Sequence, residues 1–243
     1  MNWIKSRIAS LVYSNRISVV PAFRRLSWPQ RMFLKNFLIE LEADCVLDVG
    51  ANGGQYGTEL RLIGYTGHII SFEPDPQSYE KLIGRSNKDP KWHALNIALG
   101  RIAGQAEFNI MAASMFNSFR KPITGETDKF SDSNKIVKTV QVETARLADI
   151  LPDLRRRHRF NKVFLKMDTQ GFDQEVFAGA LEVHDEIFGF QSEIGIKRIY
   201  DGVAGWSDQI NAYQQYGFDL AGIFAVNPWQ REVVEVDCYF RPV

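Results

Sequence analysis

The sequence predicts an α/β protein: a mostly parallel sheet with helices on both faces and an antiparallel strand at its C-terminal end. Three observations carry this. The apolar run Cys45-Val46-Leu47-Asp48-Val49 enters a glycine-rich turn, Gly50-Ala51-Asn52-Gly53-Gly54, and a helical pattern follows. Further short apolar runs, at 68–72 and 163–168, alternate with helical patterns, as repeated strand–helix–strand units require. Finally, two extended runs, 218–224 and 233–240, stand next to each other near the C-terminus around a turn with Asn227-Pro228. In the second run Val234, Val236, Cys238 and Phe240 alternate with Glu235, Asp237 and Tyr239, the pattern of an antiparallel pair.

The elements follow in order. Phe33, Leu34, Phe37, Leu38 and Leu41 form one stripe of a helix over 30–41. The first strand is 45–49, and Tyr56, Leu60 and Ile63 give the next helix its buried face. A second strand covers 68–72, a short helix carries Tyr79, Leu82 and Ile83, and strands cover 92–97 and 105–110. Residues 111–138 are rich in Ser, Asn, Thr, Asp and Lys and are punctuated by Pro122 and Gly125, so they read as a lid, a binding loop or a disordered segment. An extended pattern resumes at 140–143. Leu147, Ile150 and Leu151 then fit a short helix that stops near Pro152. The buried strand at 163–168 turns through Thr169-Gln170-Gly171 into a helix with Val176, Phe177 and Ala180. The strand 187–192, followed by Glu193, precedes a helix over 206–216. The division expected is an N-terminal helical extension over 1–42 and one domain over 43–243.

A chain of 243 residues can bury one sizeable core. No apolar run is long enough to cross a bilayer, and no secretory h-region is present, so the expected location is cytoplasmic. Cys45 and Cys238 read as reduced core thiols. The net charge of zero is unevenly spread: residues 1–39 carry Lys5, Arg7, Arg16, Arg24, Arg25, Arg31 and Lys35 with no Asp or Glu, +7 against −7 for the remainder. Ile4, Ile8, Leu11 and Val12 fit one helical face. Such a helix either packs across the domain with its basic face in water, the preferred reading, or lies peripherally on an anionic membrane. The run Arg155-Arg156-Arg157-His158-Arg159 reads as a solvated loop face. His68 and His93 fall near strand starts, away from the expected site, and His184 at a helix end. No histidine has metal-ligand spacing to another, and no cysteine–histidine cluster suggests zinc.

The glycine turn sits where an open α/β sheet holds a nucleotide-like cofactor. Asn52 and Gln55 occupy the positions where a dinucleotide fingerprint has its second and third glycines, which argues against a pyrophosphate. S-adenosylmethionine has no phosphate. A glycine turn at a helix N-terminus can receive its carboxylate, Asp48 its ammonium, and Glu73, in Phe72-Glu73-Pro74 at the end of the next strand, its ribose diol. The plainer alternative is a tight strand-to-helix turn with no ligand.

The segments Val46-Leu47-Asp48-Val49-Gly50-Ala51-Asn52, Phe72-Glu73-Pro74, Asn96-Ile97-Ala98-Leu99-Gly100 and Leu165-Lys166-Met167-Asp168-Thr169-Gln170-Gly171-Phe172-Asp173 resemble the FkbM family of S-adenosylmethionine-dependent methyltransferases. The resemblance covers about 43–224. It implies a Rossmann-like class I methyltransferase fold acting on oxygen in sugars or natural products. Carried over by position, Asp48, Gly50, Ala51, Asn52, Gly53, Gln55 and Tyr56 belong to the loop for the methionine end, Glu73 and Pro74 to the ribose, and Asn96 and Ala98 to the adenine region. Ser114 and Ser118 are serines near the cofactor, with Asn117 beside them. Many members have Glu-Gly after the aspartate of the last motif, where this chain has Gln170-Gly171.

Methyl transfer to an alcohol needs alignment, exclusion of water and removal of a proton. Asp168, at the carboxyl end of a buried strand, is the candidate base and also a candidate cofactor contact. Glu193, ending the next strand, is the second candidate. The two carboxylates either hold a divalent cation such as Mg²⁺ between them or divide the work of base and support. Asp168 as a loop brace and Glu193 paired with Lys197 or Arg198 are the structural alternatives. Lys166, two residues before Asp168, reads as a buried partner of an acid. Tyr200, Asp201 and Trp206 are placed to shape an acceptor pocket. The expected partner is a small-molecule or glycan acceptor, with no nucleic acid; oligomeric state is open. Competing readings are a non-catalytic adenosine-ligand binding module and, on the same fold, a nicotinamide oxidoreductase.

Overall fold

The structure is a computed structural model that describes residues 27–226 and 232–243. Its elements are α1 (Trp28–Glu40), β1 (Cys45–Val49), α2 (Gln55–Leu62), β2 (His68–Phe72), α3 (Pro76–Ser86), β3 (Trp92–Leu95), β4 (Ala98–Leu99) and β5 (Gly104–Met111). They continue with β6 (Ile136–Ala145), α4 (Leu147–His158), β7 (Val163–Met167), α5 (Asp173–Ala178), β8 (Ile187–Gly195), α6 (Trp206–Gln215), β9 (Phe218–Ala225) and β10 (Glu235–Pro242). Seven strands form the main sheet in the order β3-β2-β1-β7-β8-β10-β9. β1, β2, β3, β7 and β8 pair in parallel. β10 lies between β8 and β9 and runs antiparallel to both.

Alternation along the strands builds a core on each face, because successive side chains point to opposite sides. Cys45, Leu47, Val49, Ile70, Leu165 and Met167 pack with Leu147, Leu151 and Leu154 of α4, with Val176 and Phe177 of α5, and with Tyr213 of α6. Val46, Ile69 and Phe164 face the other way, onto Leu34, Phe37 and Leu38 of α1, Tyr56 and Leu60 of α2, and Leu82 of α3. The α1 helix therefore shares a core with the sheet. It is capped by Ser27, whose Oγ accepts from the Gln30 amide at 3.4 Å. Residues 1–26, where the basic amphipathic pattern falls, and the Asn227-Pro228 turn lie outside the described residues.

Four sequence expectations are corrected. The helix expected to stop near Pro152 runs on to His158. Pro152 is exposed and forfeits one backbone bond, while burial of Leu151 and Leu154 on the inner face carries the helix past it. The arginine run is consequently the last turn of α4 rather than a loop: Arg155 pairs with Glu186, and Arg156 and Arg157 with Asp153. Glu193 lies inside β8 rather than after it, because the register Asp237↔Glu193 extends that strand to Gly195. The histidines, far apart in sequence, converge: His68, His93 and His158 each place a ligand atom within 4.8 Å of the others.

The 111–138 segment is anchored at its start, where Met111 and Phe116 are buried with Ile199, Tyr200 and Val234, whereas 121–133 is exposed or half-buried. β6 runs from Ile136, longer than its sequence pattern suggests, because it pairs with all of β5; with β4 they make a second, three-stranded sheet, β4-β6-β5.

Candidate functional site

The carboxyl ends of β1, β2 and β7 open into one cleft, lined by residues of the glycine turn, the Glu73 turn, the 111–138 segment and the loop after β7. Its floor is a close contact between two loops. Gly50 sits at φ +74°, and a Cβ there would lie 2.0 Å from the Asp168 carbonyl oxygen, so glycine is needed for both conformation and space. The Gly50 and Ala51 amides both donate to the Phe72 carbonyl at 3.1 Å, which ties the turn to the end of β2.

Glu73 follows β2 and is buried on the cleft wall. Its Oε2 accepts from the Asn52 amide at 2.7 Å and its Oε1 from the Asp75 amide at 2.9 Å. Burial pushes this carboxyl up to about 7, against the pull of those two amides. Each oxygen keeps a second lone pair for a further donor. Asn52 Nδ2 donates to Ser114 Oγ at 3.2 Å, joining the glycine turn to the 111–138 segment. Asn117 lines the same cleft. Its Oδ1 accepts from the Met111 amide at 2.8 Å, whereas its buried Nδ2 has no hydrogen-bond partner among the described residues.

A row of buried polar side chains crosses the sheet beneath the turn. Trp92 Nε1 donates to Ser71 Oγ, and Ser71 Oγ donates to Asp48 Oδ2 at 3.1 Å. Lys166 Nζ donates to Asp48 Oδ1 at 2.9 Å and to the carbonyls of Val49 and Gly50 at 3.3 and 3.2 Å. Lys166 is thus the partner of an acid, and it holds the turn from below. Farther along, Tyr56 OH donates to Gln191 Oε1, Gln191 Nε2 to Asp237 Oδ1 at 2.9 Å, and Gln30 Nε2 of α1 to Asp237 Oδ2 at 2.6 Å. Burial raises the Asp237 carboxyl to about 6, opposed by the Gln30 and Gln191 bonds.

Asp168 lines the cleft and lies 3.7 Å from Lys166 Nζ. Gln170 adopts φ +54°, unusual for a residue with a side chain. Its Nε2 donates to Asp168 Oδ1 at 3.2 Å and also to Glu193 Oε2, while its Oε1 accepts from Tyr200 OH at 3.0 Å. A neutral amide therefore stands between the two carboxylates that sequence reasoning paired through a cation. Asp173 braces the loop from behind, accepting from the Thr169 amide, Ser192 Oγ and the Glu193 amide at 2.8, 2.8 and 3.0 Å; burial raises its carboxyl.

Of the residues picked from the sequence, Gly50, Asn52, Glu73, Pro74, Ala98, Ser114 and Asp168 come together on the cleft, with Asn117. Asp48 is enclosed below it with Lys166, and Tyr56 is buried against Gln191. Ala51 and Gly53 are buried turn residues, and Gln55 Nε2 reaches Asn52 Oδ1 at 3.3 Å. Asn96 Nδ2 braces the Glu73 and Pro74 carbonyls, and Ser118 Oγ donates to the Gln170 carbonyl at 2.7 Å. Glu193 stands behind Gln170. Tyr200 is buried, with its hydroxyl fixed by Gln170 and the Phe116 carbonyl; Asp201 and Trp206 are exposed and do not line the cleft. Phe108, Phe119, Met115 and Thr169 also line it. Sequence reasoning missed them because each reads as ordinary strand or loop material.

The sequence profile described as methyltransferase FkbM domain matches residues 48–192. The chain belongs to the FkbM methyltransferase domain family. A search of curated proteins finds no match. Among solved structures, the chain is similar to magnesium protoporphyrin IX methyltransferase of Synechocystis, solved with bound S-adenosylmethionine. That match has 10% identity, covers 88% of this chain and 79% of that one, and has a TM-score of 0.49. It is also similar to the 1,6-didemethyltoxoflavin N1-methyltransferase of Burkholderia thailandensis, at 11% identity, 99% and 87% coverage and a TM-score of 0.45.

Proposed function

We propose that this FkbM-family domain is an S-adenosylmethionine-dependent methyltransferase that methylates a hydroxyl group of a saccharide, glycoconjugate or small natural product. The observation that carries the cofactor reading is Glu73: a buried carboxylate on the cleft wall, held by two backbone amides, with lone pairs left for two vicinal hydroxyls. The residues present fit such a group. Asn117 Nδ2 supplies a donor still lacking an acceptor, Phe108 and Phe119 supply apolar surface for a flat base, and Gly50 keeps the turn open.

When bound, S-adenosylmethionine supplies an electrophilic methyl on a sulfonium. The chain's part is to align the acceptor and take its proton. Asp168 is the base at the cleft, and Gln170 fixes its carboxylate by donating to Oδ1. Glu193 acts through Gln170 as a positioning residue. In this reading Gln170 takes the place of a bridging cation; Mg²⁺ dependence is the competing outcome, read directly by adding chelator. For residues 1–25 the preferred reading is packing on the domain; peripheral membrane contact is the competing one, and it requires that deleting them lower binding to anionic vesicles at low salt, so unchanged binding refutes it.

The test begins with calorimetric titration of the purified chain. Saturable binding of S-adenosylmethionine, lost in Glu73→Ala and absent with NAD, supports the reading; no binding by folded protein refutes it, and equal NAD binding favours an oxidoreductase. Asp168→Asn should retain cofactor binding and lose about 10²–10⁴-fold in transfer to hydroxylated acceptors. Unchanged transfer removes Asp168 as the base, and binding without any turnover favours a non-catalytic module.

A further inference from the structure

The second concentration of chemistry lies at the opposite end of the sheet. His68 is the first residue of β2, and His93 lies on β3, whose register pairs it with Ile70. His68 and Ile70 share a face, so His68 and His93 point to the same side, the side covered by α4. His158, the last residue of α4, closes over them. Ring centroids of His68 lie 6.0 Å from those of both His93 and His158, and His93 and His158 stack at 3.9 Å. Three of the chain's four histidines thus meet at one point. Glu73 lies five residues beyond His68, so about 16 Å of extended chain separates this cluster from the cleft.

We propose that His68, His93 and His158 form a binding site for a borderline divalent transition ion of the zinc type. The ligand atoms already lie within 4.8 Å of one another. Tetrahedral zinc with bonds of about 2.0–2.1 Å to nitrogen brings its ligand atoms to about 3.4 Å apart. Closing that gap requires the stacked pair to turn edge-on, which His158 can do from the end of its helix. His68 Nδ1 and His93 Nε2 are buried without a hydrogen-bond partner among the described residues. Metal ligation satisfies such nitrogens. Burial lowers all three imidazoles below their ordinary value, helped by Lys91 at His68 and by the neighbouring histidines at His93 and His158, so their lone pairs are available at neutral pH.

The charged groups around the cluster favour three protein ligands and a solvent position. Asp44 is taken up by the Asn161 and Lys162 amides, Asp89 by Arg61, and Asp153 by Arg156 and Arg157, with Lys91 nearby. A bound ion would join the end of α4 to the starts of β2 and β3, a bracing role rather than a part in transfer chemistry.

The experiment uses the full chain, purified without a histidine tag, stripped with chelator and titrated with Zn²⁺ alone at pH 7.5. One equivalent binding with a Kd in the micromolar range or tighter, accompanied by a rise in Tm, is the expected result. Co²⁺ should give visible bands without a thiolate charge-transfer band, which separates the site from Cys45 and Cys238. His158→Ala should weaken binding at least tenfold, and His184→Ala should leave it unchanged. If His158→Ala folds poorly by circular dichroism, His93→Asn gives the same reading. No saturable binding, or equal binding in the His158 and His93 variants, overturns the proposal.

Discussion

Replacing Glu73 by Gln tests the cleft through the pH dependence of stability. Burial is the largest influence on this carboxyl, which stands at about 7 in the folded chain against an ordinary 4.5. A raised carboxyl favours the folded state while protonated, so that part of the stability is present below the ordinary value and lost as pH rises through 7. Integrating between pH 5 and pH 8 gives a loss of about 2.5 kcal/mol from this group. Gln cannot ionise and removes that slope. It also carries one acceptor oxygen and one amide donor, whereas the Asn52 and Asp75 amides both require an acceptor. One of them is left facing another donor, a pH-independent cost of about 1–3 kcal/mol. The variant should therefore be less stable at pH 5 and approach or overtake the parent by pH 8. Urea denaturation of both proteins at half-unit pH steps measures the difference, in which all other titrating groups cancel. A difference that stays constant within about 0.5 kcal/mol across that range refutes the buried-carboxylate argument.

Lys166→Met leaves Asp48 charged and buried and should cost about 3–5 kcal/mol by denaturant unfolding, while adding Asp48→Asn should recover most of the loss. Gly50→Ala places a Cβ against the Asp168 carbonyl at a positive φ; a loss of at least about 2 kcal/mol and of cofactor binding is expected in thermal and calorimetric assays. Gln170→Glu puts a third carboxylate between Asp168 and Glu193. Its stability should fall at pH 8, recover toward pH 5, and rise with added Mg²⁺, none of which the parent shows to the same degree; a flat Mg²⁺ response would rule out a latent cation site.

The strands β1 and β2 were legible to the residue because each is a short, mostly apolar run bounded by turn residues. β6 was not, because most of its side chains are exposed and no alternation marks which residues pair with β5. Pro152 misled for a different reason: its local cost is visible in sequence, whereas the burial of Leu154 that outweighs it is tertiary. The glycine turn and Glu73 were readable as a site from their places after β1 and β2. That Asp48 serves Lys166 instead of the cleft depends on the Asp48↔Lys166 register across two strands more than 100 residues apart, which spacing alone does not reveal. The same holds for Gln170, whose importance comes from its reach to Asp168, Glu193 and Tyr200, and for the histidines, which only the β2–β3 register and the end of α4 bring together.

The polar row under the glycine turn ends outside the stretch shared with the family. Residues 48–192 include Asp48, Tyr56, Lys166 and Gln191, but Asp237 lies on β10 and Gln30 on α1. A fragment cut at the borders of family likeness would deprive Gln191 of its acceptor, leave β8 without its β10 neighbour, and uncover the face against which Phe37 packs. The unit of descent and the unit of folding therefore have different borders in this chain. Sequence change in α1 or β10 can be felt at the mouth of β1 although neither segment carries a family motif.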